Sequence, residues 1–286
     1  MYAVAGTSGN TGAGVADTLL ARGEKVRVIV RDAAKGEPWR ARGAEVAGAD
    51  LADEAAVVGA LRGVDGAYLL VPPSWGSSAP GTDGRRVGEA LARAAARAGA
   101  PHVVLLSSVG AQFPAGNGPI GAVLNPTERA FVAAGVPTTH LRAAYFVENW
   151  GAVLAVAKSD GVLPSFLAVD APIPMVSVID IGRVGAELLL AGPRGQRVVQ
   201  LAGPVDPTPA DVARTLAGLL GRPVQAAPVP LQAAEATLVG AGLPPAWAAM
   251  YRELYEGVAN GKVALDHHEV VRGTVDLRTA LARLVG

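Results

Sequence analysis

The amino-acid sequence predicts an α/β fold built on a doubly wound parallel sheet, with a smaller α/β region at the C-terminal end. Short apolar runs alternate with helix-like segments through the first half of the chain, which is typical of βαβ units. These runs are apolar at nearly every position, as expected for strands covered by helices on both faces. The 286 residues, 50% of them hydrophobic, suffice for one large core or two unequal ones.

Strands and helices alternate regularly in the first half. Strands are predicted at residues 2–5, 25–30, 66–71, 102–107 and 138–142, with a further short strand before Gly48. Helices are predicted at residues 11–22, 52–61, 84–98 and 126–134, where apolar residues recur at helical spacing. Two loops rich in Gly, Pro and Ser, residues 72–84 and 110–121, interrupt the pattern, and loops of this length after parallel strands are often functional.

The second half has a different order of elements. Strands at 176–178 and 197–201 enclose a helix at 179–190, and further helices are predicted at 211–220, 231–241 and 245–257. Thr208 before Pro209 is an N-cap signal, and Gly221 is a helix stop. We therefore divide the chain into residues 1–150 and 151–286, with residues 176–203 returning to the sheet of the first part.

Composition excludes several classes of protein. The absence of Cys rules out disulfides and Cys-ligated metals, and the balance of 25 basic and 25 acidic residues argues against a nucleic-acid binder. No apolar run approaches the roughly 18 residues that a membrane span requires, and no basic leader of a signal peptide precedes Gly6. We expect a cytoplasmic protein without a membrane partner.

The segment AGTSGNTGAG, residues 5–14, places Gly6, Gly9 and Gly12 directly after the first strand and at the start of the first helix. In this context the three glycines permit a tight turn, the approach of a pyrophosphate, and close packing of helix on strand. Backbone N–H groups and the helix dipole favour the anion. Further donors are expected from the side chains of Thr7, Ser8, Asn10 and Thr11. The segment predicts a dinucleotide site, against the alternative of a glycine-rich turn without a ligand.

Arg31 follows the second strand, where an NAD site usually has a carboxylate for the ribose hydroxyl. Arginine there suits the 2′-phosphate of NADP(H), which is the cofactor we predict. Asp32 leaves two alternatives open, since it can pair with Arg31 or bind the ribose itself. A solvated surface arginine is the remaining alternative.

Further cofactor contacts are predicted at three strand ends. Asp50 can accept from an adenine amino group, or else it belongs to the cap of the next helix. The other predicted contacts are Leu51, the apolar Val71, Pro72 and Pro73 beside the adenosine or ribose, and Ser107 and Ser108 facing the nicotinamide. Either serine can alternatively cap the following turn.

Several segments taken together resemble the NmrA-like proteins, atypical members of the short-chain dehydrogenase/reductase superfamily. They are AGTSGNTG, VIVRD, GADL, VVLLSSVGA, TERAF, LRAAYFVENW and VSVIDIGRVGAELL, and they occur in the order typical of that family. The resemblance implies a Rossmann-type fold that carries NADP(H), with a smaller C-terminal substrate-binding region. The family that the chain resembles includes NADPH-dependent quinone oxidoreductases, triphenylmethane-dye reductases and regulators that sense the dinucleotide without turning it over.

The chain departs from the superfamily at its Tyr-x-x-x-Lys pair. Counting back from Glu128, the Lys position falls on Leu124 and the Tyr position on Ile120. Reduction of an ordinary ketone forms a strongly basic alkoxide, so a positioned acid matters. General acid catalysis raises the rate by about 100- to 10,000-fold. Quinones and conjugated cations give weakly basic or neutral hydride adducts, so they need little help from a protein acid.

The resemblance also places Tyr145, Phe146, Asn149 and Trp150 beside the nicotinamide and the substrate, where aromatic rings can stack on a flat molecule. Core packing is the alternative for this segment. Trp75 is a candidate lid residue in its loop, with local packing as the alternative. No metal site is predicted: His267 and His268 adjoin acidic residues, but neighbours on an extended segment point to opposite faces.

These observations predict an NADPH-dependent reductase that transfers hydride to a quinone-like or other conjugated aromatic small molecule. Two alternatives stay open: a non-catalytic NADP(H)-sensing regulatory protein, and a pathway enzyme acting on a polycyclic aromatic intermediate. The expected partner is a small aromatic substrate, and a homodimer is compatible with the sequence. A protein partner is expected only for the sensor.

Overall fold

The computed structural model describes residues 1–286 and contains an eight-stranded, wholly parallel central sheet. Its strands are β1 (Tyr2–Ala5), β2 (Val26–Val30), β3 (Glu45–Gly48), β4 (Gly66–Leu69), β5 (Val103–Ser108), β6 (Thr138–Ala143), β10 (Arg197–Ala202) and β12 (Glu269–Arg272). Two smaller sheets pair β7 (Tyr145–Phe146) with β9 (Met175–Val176), and β8 (Val162–Ser165) with β11 (Gln225–Pro228). The order across the central sheet is β12-β10-β6-β5-β4-β1-β2-β3, so the direction of winding reverses between β1 and β4.

Helices cover both faces of the sheet, as predicted. They are α1 (Asn10–Ala21), α2 (Glu37–Arg40), α3 (Glu54–Leu61), α4 (Pro80–Ala98), α5 (Asn125–Ala133), α6 (Leu154–Asp160), α7 (Val178–Leu190), α8 (Pro209–Leu220), α9 (Ala234–Gly240), α10 (Pro245–Ala259) and α11 (Leu277–Val285). Helices α1 and α7 pack on one face, and α3, α4 and α5 pack on the other. No helix has both the length and the apolar character needed to cross a membrane.

Alternate residues of β1, β2, β4 and β5 enter different cores. On β5, Val104 belongs to the core under α1 and α7, whereas Val103 and Leu105 belong to the core under α3, α4 and α5. Both faces are therefore dry, which explains why these strands are apolar at nearly every position. The predicted α/β fold with a doubly wound parallel sheet is confirmed.

The C-terminal region has its own core and also contributes to the central sheet. Apolar residues of α6, β8, α8 and α11 form a separate cluster, whereas β10 and β12 are strands of the main sheet and α7 packs on one of its faces. Sequence reasoning missed α6, β8, β11, β12 and α11. Strands β11 and β12 carry prolines or charges and lie at sheet edges, so their pattern is weakly apolar.

Three predicted boundaries are wrong for local reasons. Helix α4 begins at Pro80 rather than at residue 84, because proline suits the first turn and the Ser77 hydroxyl accepts from the Ala79 N–H. The strand predicted at 176–178 ends at Val176, because Ser177 caps α7 by accepting from the Ile179 N–H. The helix predicted at 231–241 is a 3-10 turn followed by α9.

A buried carboxylate joins α7 to the segment after β12. The Asp180 side chain accepts from the backbone N–H groups of Thr274 and Val275 at 3.1 and 2.9 Å, and from Arg183 at 2.9 Å. Burial by itself would raise the pKa of the Asp180 carboxyl, but these hydrogen bonds lower it below its ordinary value. A methyl group on Gly273 would lie 2.2 Å from this carboxylate, so the chain passes unusually close to it.

Candidate functional site

A cavity of about 650 Å³ opens at the carboxyl ends of the central strands, beside the reversal of strand order. The loop after β1 and the ends of β4, β5 and β6 contribute to its wall. Doubly wound sheets bind their ligands at this position, because the loops on either side of the reversal point diverge and leave a crevice. No charged side chain lines the cavity.

The three glycines after β1 have different roles in the geometry. Gly6 has φ +72°, a conformation that favours glycine, and lines the cavity. A Cβ atom on Gly12 would lie 2.3 Å from the carbonyl oxygen of Ala5, so only glycine lets α1 pack on β1. At Gly9, which lines the cavity, the nearest protein atom would be 3.5 Å from such a Cβ. Protein packing therefore does not require glycine at position 9, but the approach of a ligand would.

The first turn of α1 has the features of an anion-binding site. Its N-cap is Gly9, which has no side chain to satisfy the free N–H groups, and the turn contains no acidic residue. Thr7 is buried, and its hydroxyl has no partner in the protein. Ser8 and Thr11 line the cavity, whereas Asn10 is exposed at the first helical position. The free N–H groups of this turn fit the oxygen atoms of a diphosphate.

Four residues considered for the adenosine end, Arg31, Asp32, Asp50 and Leu51, lie outside this cavity. Arg31 is exposed at the end of β2 and forms no ion pair. The Asp32 carboxylate accepts from the Ala34 N–H at 3.0 Å, and so caps a short helix instead of pairing with Arg31. Asp50 is exposed and accepts from the Ala52 N–H at 2.9 Å, while Leu51 packs against the core. Arg31 is therefore an unpaired charge at this end, as is the exposed Lys35 in the short helix that follows.

The segment after β4 forms one wall of the cavity. Val71, Pro72 and Pro73 line it, and Trp75 follows them, while their contact with the adenosine or ribose stays a prediction. The Trp75 ring packs against Trp247 of α10, with centroids 4.7 Å apart and planes inclined at 44°. Trp247 also donates from its indole N–H to the carbonyl oxygen of Ser74 at 3.0 Å. Helix α10 thus fixes this loop at the edge of the cavity.

Sequence reasoning missed the contribution of α10. Trp247, Tyr251 and Leu254 of this helix line the cavity. Trp247, Tyr251 and Tyr255 follow one another at intervals of four residues, so they share a face, and neighbouring ring centroids are 6.3 and 6.5 Å apart. The spacing was visible in the sequence, but the direction in which this face points depends on tertiary packing.

The segment after β6 divides between the cavity and the C-terminal core. Tyr145, Phe146 and Asn149 line the cavity, but Trp150 is buried in the core and does not. Burial, with the nearby phenol of Tyr255, raises the pKa of Tyr145 well above its ordinary value. Burial also raises the pKa of Tyr251, so both phenols meet the cavity as neutral groups.

Both serines at the end of β5 line the cavity, and both hydroxyls are engaged by the protein. Ser107 donates to Glu128 at 2.6 Å, and Ser108 donates to the carbonyl oxygen of Val109 at 3.1 Å. Arg142 holds the same Glu128 carboxylate through two nitrogens, at 3.0 and 2.7 Å. Sequence reasoning missed Glu128 and Arg142, which lie behind the cavity wall.

The two positions that counting back from Glu128 predicts for the superfamily pair also lie at the cavity. Ile120 and Leu124 both line it, within and at the end of a π-helical turn that precedes α5. Their aliphatic side chains have no acid–base function. The space that a Tyr/Lys pair would reach is therefore apolar in this chain.

The histidine pair before β12 is arranged differently from the prediction. The rings of His267 and His268 stack, with centroids 4.4 Å apart, because the chain bends here and is not extended. The expectation that they point to opposite faces is therefore wrong. Possible ligand atoms of Asp266, His267 and His268 lie within 4.8 Å of one another, but His268 Nδ1 pairs with Asp266 at 2.6 Å.

The parallel sheet, the glycine loop and the cavity at the reversal point place the chain among the Rossmann-type α/β proteins. The model of the NmrA-like family matches residues 2–268, and the chain belongs to that family. This confirms the resemblance drawn from the sequence segments.

Three comparisons illustrate the relationship. The chain is 28% identical to the NAD(P)H azoreductase of Xenophilus azovorans over 255 residues, 89% of this chain and 86% of the relative. It is 30% identical to the (4-alkanoyl-5-oxo-2,5-dihydrofuran-3-yl)methyl phosphate reductase of Streptomyces griseus over 245 residues, 86% of this chain and 83% of the relative. The crystal structure of an Escherichia coli NADPH-dependent quinone oxidoreductase with NADPH superposes with a TM-score of 0.83, at 26% identity and over 100% of both chains.

Proposed function

We propose that this protein is an NADPH-dependent reductase that transfers hydride to quinone-like or other conjugated aromatic small molecules. The names of the relatives support the broader class, since they describe an NAD(P)H azoreductase and an NADPH-dependent quinone oxidoreductase. The substrate class rests on one observation: a cavity that joins the glycine loop to an aromatic wall and has no charged side chain in its lining.

In this proposal NADPH, when bound, supplies the hydride. The free N–H groups at the start of α1 hold its diphosphate, with Gly9 leaving room for close approach. Arg31 binds the 2′-phosphate, because its guanidinium has no other partner and Asp32 is engaged with Ala34. The ends of β4 and β5 lie on the opposite side of β1 from β2, so they face the nicotinamide half.

The uncharged cavity favours acceptors that need no protein acid. The positions of the superfamily pair are Ile120 and Leu124, and the phenols of Tyr145 and Tyr251 keep their protons. Hydride addition to a quinone gives a weakly basic phenolate, which takes its proton from water. Reduction of an ordinary ketone would form a strongly basic alkoxide, for which this cavity offers no strong acid.

The aromatic wall supplies affinity for a flat molecule. Trp75 and Trp247 stand on one side, and Tyr145 and Phe146 belong to the segment after β6. Aromatic rings stack on conjugated ligands in offset or tilted arrangements, each pair contributing about 0.5–1.5 kcal/mol beyond the buried area. The wall therefore selects for planar, electron-poor rings.

The proposal is tested by mixing the protein and NADPH with a panel of acceptors and following the loss of nicotinamide absorbance. The panel contains benzoquinone, naphthoquinone, an azo dye and an aliphatic ketone, and mixtures without acceptor measure background oxidation. Turnover with the conjugated acceptors but not with the ketone is expected. Tight binding of NADPH with no turnover of any acceptor would instead indicate the dinucleotide-sensing alternative.

A further inference from the structure

Ser107, Glu128 and Arg142 form a buried line of polar groups behind the cavity. Ser107 Oγ lies 2.6 Å from Glu128 Oε1, and Arg142 holds Oε1 and Oε2 through Nε and Nη2 at 3.0 and 2.7 Å. The three residues are only 3, 7 and 5% exposed. A carboxylate gripped on both oxygens by a guanidinium offers acceptors only. The single proton of the Ser107 hydroxyl is therefore committed to Glu128.

This commitment determines what Ser107 presents to the cavity. A serine hydroxyl has one donor and two acceptor lone pairs. With its proton directed to Glu128, Ser107 offers only lone pairs to a ligand, although it lines the cavity. It does not donate to a substrate carbonyl in this state. Its ligand partner must carry an N–H or O–H group.

The position of Ser107 indicates which group that is. The order β5-β4-β1-β2 puts β5 two strands from the glycine loop, on the side away from Arg31. Neighbouring strands are about 4.8 Å apart, so Ser107 stands roughly 10 Å to the side of β1. A dinucleotide with its diphosphate at Gly9 and its 2′-phosphate at Arg31 extends its nicotinamide half across this distance. The nicotinamide carboxamide carries two N–H donors.

We propose that Ser107 accepts a hydrogen bond from the nicotinamide carboxamide, and that Glu128 and Arg142 are positioning residues that hold its hydroxyl as an acceptor. This inference rests on the dinucleotide binding of the proposed function, but not on which acceptor is reduced. This hydrogen bond would fix the orientation of the nicotinamide ring through its carboxamide group, without placing a charge in the cavity.

The test compares the binding of NADP⁺ with that of its 3-acetylpyridine analogue, in which a methyl ketone replaces the carboxamide. The analogue keeps the carbonyl and loses both N–H groups. Dissociation constants are measured by calorimetry, without turnover. The wild-type protein is expected to bind the analogue about threefold to tenfold more weakly, the range of one neutral hydrogen bond. Ser107→Ala is expected to weaken NADP⁺ binding and to bring the two constants together.

Ser108→Ala tests the rival acceptor, because this neighbouring hydroxyl also lines the cavity and donates to the Val109 carbonyl oxygen instead of to Glu128. If Ser107 is the acceptor, the preference for NADP⁺ persists in Ser108→Ala. Ser159→Ala, at an exposed serine of α6 outside the cavity, is the matched control and should also retain the preference. Glu128→Gln tests the positioning role: an amide can donate to Ser107 and release its proton, so the preference should fall in protein whose melting shows that it is folded. If Glu128→Gln does not fold, Ser107→Ala alone decides the matter.

Three results would overturn the inference. The first is equal binding of the two dinucleotides by the wild-type protein, and the second is a preference that survives in Ser107→Ala. The third is a loss of preference in Ser108→Ala but not in Ser107→Ala. Failure of the wild-type protein to bind either dinucleotide would contradict the proposed function itself, and this role of Ser107 with it.

Discussion

Gly182 of α7 meets Gly14 of α1 where the two helices cross, and a Cβ atom on Gly182 would lie 2.7 Å from the Cα atom of Gly14. Non-bonded carbon atoms prefer separations of about 3.5–4.0 Å. The atoms of Gly14 that this Cβ would meet are backbone atoms, so no side-chain rotation relieves the clash. The contact brings α7, from the second half of the chain, against the helix that begins at the glycine loop.

Gly182→Ala is therefore expected to destabilise the protein by about 1–3 kcal/mol, the usual cost of inserting a methyl group into close packing. Gly59→Ala is the matched control, since Gly59 is exposed within α3 and has open space around it. That change should stabilise the protein by about 0.5–1 kcal/mol, through helix propensity. Urea denaturation measures both changes, and equal stabilities of the two variants would refute the close-contact argument.

Two substitutions in the glycine loop should differ in their effects on stability and on NADPH binding. Gly12→Ala places a methyl group 2.3 Å from the Ala5 carbonyl oxygen and should lower the melting temperature. Gly9→Ala finds its nearest protein atom at 3.5 Å and should melt close to the wild type. Its methyl group stands where the diphosphate would approach, so NADPH binding should weaken by at least about tenfold, or ~1.4 kcal/mol. Unchanged NADPH affinity in Gly9→Ala, measured by calorimetry, would remove the proposed role of this loop.

Arg31→Ala should reduce the difference between the affinities of the protein for NADPH and for NADH. Hydrogen bonds to charged groups contribute about 1.5–3 kcal/mol, and exposure of Arg31 favours the lower value, so NADPH binding should weaken about tenfold. NADH has no 2′-phosphate, and its affinity should stay the same. Arg214→Ala, an exposed arginine on α8, controls for a general loss of positive charge. Equal affinities of the intact protein for NADPH and NADH would contradict the NADP(H) assignment.

Trp75→Ala should raise KM for naphthoquinone more than for benzoquinone, because a larger ring system reaches further along the wall. An increase of about threefold to tenfold is expected for the two-ring acceptor, in line with one aromatic pair. Trp75→Phe keeps a ring at this position and should recover most of the affinity. Steady-state kinetics with both acceptors provide the measurement. A uniform change for the two quinones would show that Trp75 does not discriminate by ring number.

Asp180→Asn should destabilise the protein at neutral pH by about 1.5–3 kcal/mol, since it removes a charged acceptor from two backbone N–H groups and Arg183. The folded-state pKa of Asp180 is lowered, so its carboxylate contributes stability above the unfolded pKa of about 3.9. That contribution is lost as the pH falls below this value and through the folded pKa. Melting curves of the two proteins should therefore converge towards pH 3, and a difference independent of pH would contradict the assignment.

The local features of this protein could be predicted from its sequence. The alternation of strands and helices, the loop of Gly6, Gly9 and Gly12, and the Thr208 cap each depend on residues close together in the chain. The inner strands are apolar at nearly every position because helices cover both faces of the sheet there, so their parallel pairing was also predictable. Edge strand β12 was missed, because an edge strand has no such pattern.

Tertiary structure decided the rest of the candidate site. The Trp247 indole reaches the Ser74 carbonyl oxygen across 173 positions of sequence, and Ser107 reaches Glu128 across 21. Residues this far apart meet only when helices pack on the sheet, and no local pattern reports which face of α10 turns to the cavity. By itself, the sequence determined the fold class and the glycine loop, because the patterns that indicate them lie within short segments. Packing decided the aromatic wall and the direction of the Ser107 proton, because both depend on side chains from separate elements.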